Sequence, residues 1–116
     1  MNPNEIISGI QNKNLMLTQK NKELKDLSEQ MANAKRNYAI GFATMILALR
    51  EEKNPATLIP DLARGDKHIA DLRFKKDVAK GVYDACRESI RDIRNALDSY
   101  RSILTWERHE RFNSDV

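Results

Sequence analysis

Very little in this chain interrupts a helix. Its 116 residues hold three prolines and four glycines, about half the usual combined share. Turns are therefore scarce and long elements are expected. Cys86 is the only cysteine, which rules out an intramolecular disulfide and any CxxC metal pair and suits a reducing, cytoplasmic setting. Aromatic residues are 6% of the chain. HExxH, a glycine-rich phosphate loop and GxSxG are all missing, so the expectation is a protein that is not an enzyme and uses no metal or cofactor. The amino-terminal "MNPNEIISGIQNKN" lacks a charged segment followed by an apolar one, so no signal peptide is expected. The stretch "YAIGFATMILAL", residues 38–49, has no charged residue, but a membrane span needs about 20 apolar residues. Arg36 and Arg50 also bracket it closely, so a buried or interface helix is expected here rather than a membrane segment.

What the chain does contain is helix formers and charge. Lys, Arg, Asp and Glu make up 32% of it, with a net charge of +3. Asn2, Pro3 and Glu5 read as N-cap, first helical position and capping-box partner. No further proline occurs until Pro55, and the first helix is expected from about 3 to 52, its first three turns prone to fray. Asn54-Pro55 and Ile59-Pro60 push the chain away from helix and mark a connector over about 53–66. Pro60 can start a short turn, "PDLAR", that stops at Gly65. Asp66 can cap a second long helix, from about 67 to 110, and "FNSDV" is expected as a frayed tail.

Both helices carry heptads. Ile10, Leu17, Leu24, Met31, Tyr38 and Met45 recur every seven residues in the first. Ile69, Lys76, Tyr83, Ile90, Leu97 and Leu104 do so in the second, with Leu72, Ala79, Cys86, Ile93 and Tyr100 beside them. Such seams indicate coiled-coil-like packing. Ala34, Gly41 and Ala48 put small residues on one line of the first helix, where a facing helix can approach closely. The expected fold is all-α: a single helical domain of two long antiparallel helices, a helical hairpin.

One antiparallel partner covers only one stripe of a helix, yet residues 38–49 are apolar on every face. A helix apolar all round is surrounded by other helices. This points to self-association as a homodimer or higher assembly, most simply two hairpins forming a four-helix bundle. The candidate interface is Tyr38, Phe42, Met45, Ile46 and Leu49, with another protein as a further candidate partner. The function expected is a non-enzymatic, self-associating helical interaction module.

A second pattern supports an alternative, a nucleic-acid-binding accessory protein. Arg73, Lys80, Arg87, Arg94, Arg101 and Arg108 recur every seven residues. Such a basic line suits a phosphate backbone, with Arg87, Arg91, Arg94, Arg101 and Arg108 as candidate contacts. Asp77, Asp84 and Asp98 stand three or four residues from its members, so ion pairs within the helix are the leading reading. The segment "LARGDKHIADLRFKKDVAKGVYDACRESIRDIRNALDSYRSILTWER" resembles small helical accessory proteins of tailed phages and prophages in size and in its Arg-rich, Trp-containing helix. The resemblance covers about the last 50 residues and implies a phage or bacterial source, with no catalytic motif.

Overall fold

The computed structural model describes residues 2–115. Three helices follow in order: α1, Pro3–Glu51; α2, Ile59–Gly65; and α3, Lys67–Asp115. The fold is all-α, a helical hairpin whose two long arms are α1 and α3.

Local chemistry sets the helix ends. Asn2 Oδ1 accepts from the Glu5 N–H at 2.9 Å and Glu5 Oε2 accepts from the Asn2 N–H at 3.3 Å, a closed capping box. At the other end of α1, Lys53 takes the left-handed conformation, φ 61°. The Lys53 N–H then reaches the Arg50 carbonyl and the Asn54 N–H the Leu49 carbonyl, the paired reverse bonds of a Schellman cap. The Asn54 side chain donates to the same Leu49 carbonyl at 3.0 Å. Asp66 stops α2 by turning extended, and its carboxylate caps α3 by accepting from the Ile69 N–H at 3.2 Å. The tail expected to fray beyond 110 is instead helical through Asp115. No glycine or proline occurs there, and the Ser114 hydroxyl bonds back to the Glu110 carbonyl.

The chain contacts divide into two compact units, residues 25–84 and residues 1–24 with 85–116. In the first, α1 and α3 run antiparallel. Gly41 lies against Leu72 and Ile69, and the Lys76 ammonium sits 4.5 Å from the centre of the Tyr38 ring. That cation–π contact explains a lysine on an apolar seam. A β-carbon at Gly41 would come within 2.6 Å of Leu72 Cδ1, so the small residue there is what lets the helices close. At the tip, α2 folds onto α1: Ile59 and Ala63 form a buried cluster with Leu49, and Phe42, Met45 and Ile46 pack against it.

In the second unit, Ile6, Cys86, Ile90, Ile93 and Leu97 are buried. Here too the arms are antiparallel, since the Cys86 thiol donates to the Lys20 carbonyl at 3.6 Å and the Tyr100 ring covers Gly9. The first turns of α1 are thus tied down by the capping box, Ile6 and Tyr100.

Candidate interaction surfaces

The apolar run at 38–49 finds much of its cover inside the chain. Leu49 is buried, and Phe42, Met45 and Ile46 are half-buried against it and against Ile59 and Ala63. Tyr38 is half-buried, its ring 5.8 Å from that of Phe42. The candidate interface residues Tyr38, Phe42, Met45, Ile46 and Leu49 therefore line the seam and the α2 contact. Part of that cover comes from α2. A seven-residue helix that carries Pro60 at its second position, five residues after Pro55, reads as connector, yet its Ile59 and Ala63 supply a third helical surface.

What α2 and α3 leave uncovered is the opposite face of α1. Ile40 and Leu47 are 60% and 59% exposed. They lie seven residues apart, nearly one above the other on the helix, with the small exposed residues Ala43 and Thr44 between them. The Thr44 hydroxyl is bonded back to the Ile40 carbonyl. Arg36 and Glu51 close this face at its two ends, and both are exposed. Arg36 bonds Asn33 on its own helix. On α3 a separate line of Phe74, Val78 and Val82 also faces solvent. Isolated exposed apolar residues are ordinary; the distinguishing feature here is their alignment, at helical spacing, on faces turned away from the seam.

The basic line on α3 is only partly self-neutralised. In the unit of residues 25–84, Lys80 pairs with Asp84 at 2.9 Å. In the other unit, Arg91 pairs with Glu88 and Arg101 with Asp98 at 3.7 Å. All these groups are largely exposed, so each pair is worth little. Arg94 and Arg108 have no ion pair among the described residues. Phe112, four residues after Arg108 in the last turns of α3, is exposed. Against a phosphate-binding surface stands the charge balance. Residues 1–24 with 85–116 contain nine Lys and Arg against eight Asp and Glu, a net of +1.

Among the described residues, no three His, Cys, Asp or Glu come together in a way that could hold a metal ion. A groove of about 210 Å³ lined by Gln30, Asn33, Ala34, Asn37, Leu72 and Lys75 is smaller than ligand pockets usually are. Among the described residues, no helix is long and apolar enough to cross a membrane. Compared with protein-family models, curated proteins and solved structures, the chain matches none.

Proposed function

We propose that this protein is a non-enzymatic helical interaction module that associates with itself. The observation that carries this reading is the face of α1 at Ile40 and Leu47, apolar and exposed while Tyr38, Phe42, Met45, Ile46 and Leu49 are covered within the chain. Burying large apolar side chains against another helix gains about 1.5–3 kcal/mol each, and water offers them nothing comparable. Two copies meeting there pack α1 against α1, each with its own α3 on the far side. The line of Phe74, Val78 and Val82 on α3 remains available to a second protein. The resemblance to accessory proteins of tailed phages is consistent with a small assembly factor of that source.

Light scattering at micromolar concentration tests this directly. The expected mass rises with concentration above the 13.4 kDa of one chain. A constant 13.4 kDa up to the highest concentration would remove the reading.

Nucleic-acid binding through Arg87, Arg91, Arg94, Arg101 and Arg108 is the second reading. It is favoured by Arg94 and Arg108, which have no acidic partner among the described residues, and disfavoured by the near-neutral charge of the unit that holds them.

A further inference from the structure

We infer that the exposed face of α1 is self-complementary, and that a second copy of this chain docks on it antiparallel, related by a twofold axis between Ala43 and Thr44. This rests on the self-association proposed above and specifies its contact. A twofold interface requires that residue i of one copy meet residue j of the other, and j meet i. Along this face the order is Arg36, Ile40, Ala43 and Thr44, Leu47, Glu51. Each residue stands as far from the centre as its counterpart: Ile40 matches Leu47, and Arg36 matches Glu51. Laid antiparallel on itself, the face puts Ile40 against the partner's Leu47 twice. It puts Arg36 against the partner's Glu51 twice, one ion pair at each end.

Small residues occupy the middle, where two helix backbones must come closest. Neither Arg36 nor Glu51 has an ion pair among the described residues, so both charges are available to a partner. A parallel arrangement would set Arg36 against Arg36 and Glu51 against Glu51. The charges therefore select the antiparallel one. The face is about 22 Å long from Arg36 to Glu51, short for a stable interface. A concentration-dependent equilibrium between monomer and dimer follows, rather than an obligate dimer.

Charge exchange tests this with the full chain. Arg36→Glu and Glu51→Arg, each alone, place like charges at both ends and should weaken the homodimer roughly tenfold at low salt. The double variant restores opposite charges and should recover wild-type association. The two single variants, mixed, should prefer each other, because every end of the mixed dimer is then an opposite-charge contact. Leu47→Lys should abolish association. All these positions are exposed, and circular dichroism should show unchanged helix content; Ile40→Lys provides a second apolar variant if Leu47→Lys loses helix. The readout is sedimentation velocity, with one single variant fluorescently labelled for the mixture. A wild type that stays monomeric would overturn both this inference and the reading beneath it. Wild-type association that is indifferent to the exchanges, with no preference in the mixture, would overturn the twofold contact and leave self-association standing.

Discussion

Two glycines inside long helices make a matched pair for testing how the arms pack. Glycine in a helix interior costs about 1 kcal/mol relative to alanine. Gly81 is exposed, and a β-carbon added to it meets nothing within 4 Å. Gly81→Ala should therefore stabilise by about 1 kcal/mol, the propensity difference alone. Gly9 differs only in what faces it. A β-carbon there would lie 2.7 Å from Tyr100 Cζ and 2.9 Å from Cε1. The phenol is a rigid ring, so it must move as a body to regain ordinary contact. Overpacking of this kind costs typically about 1–3 kcal/mol. Set against the propensity gain, Gly9→Ala should destabilise by about 1 kcal/mol. The same chemical change at two sites should thus differ by about 2 kcal/mol, or roughly 8 °C in melting temperature for a chain of this size. The assay is thermal unfolding followed by circular dichroism, at one fixed protein concentration because association shifts the midpoint. In a Tyr100→Ala background the clash is gone, and Gly9→Ala should become stabilising. Equal stabilisation at both glycines in the wild-type background would refute the packing of Tyr100 on Gly9, and with it the antiparallel register of that unit.

Ile59→Ala should cost about 3 kcal/mol, in the range for a buried isoleucine. It should also loosen α2 from Leu49, seen as a lower urea midpoint and increased binding of an apolar dye. Arg87→Glu with Arg94→Glu should cost only about 1 kcal/mol, and the wild type should bind duplex DNA weakly at physiological salt in a gel shift. Tight binding lost in that double variant, with a salt slope of about −0.9 per phosphate contacted, would instead put the nucleic-acid reading first.

The starts of α1 and α3 were legible in the sequence because local chemistry sets them; the end of α3 was not, since no residue there marks a stop. Asn2 with Glu5, and Asp66 with Ile69, are contacts between residues three apart, and the residue types alone announce them. Gly41 was legible too, since a line of small residues on a seam has few uses other than close approach. The position of α2 was not. Whether the seven residues around Pro60 lie in solvent or fold onto Leu49 depends on tertiary contacts of Ile59 and Ala63, and no local pattern encodes those. With α2 in place, Phe42, Met45 and Ile46 pack inside the chain, while Ile40 and Leu47, about half a helix turn away, stay exposed. The ion pairs along α3 were legible only as possibilities. Lys80 pairs with Asp84 rather than Asp77, and Asp98 pairs with Arg101 rather than Arg94, because exposed pairs differ by too little energy for sequence spacing to rank them.

Oxidative cross-linking tests most directly whether copies of the chain meet, and where. With the buried native thiol removed by Cys86→Ala, a single cysteine is introduced by Ala43→Cys or, separately, by Val78→Cys. A disulfide requires α-carbons within about 7 Å, which the twofold contact provides at residue 43 and not at residue 78. Mild oxidation at micromolar concentration should convert the Ala43→Cys chain to a covalent dimer and leave the Val78→Cys chain largely monomeric. Cross-linking at 78 but not at 43, or at neither, would contradict association through the exposed face of α1.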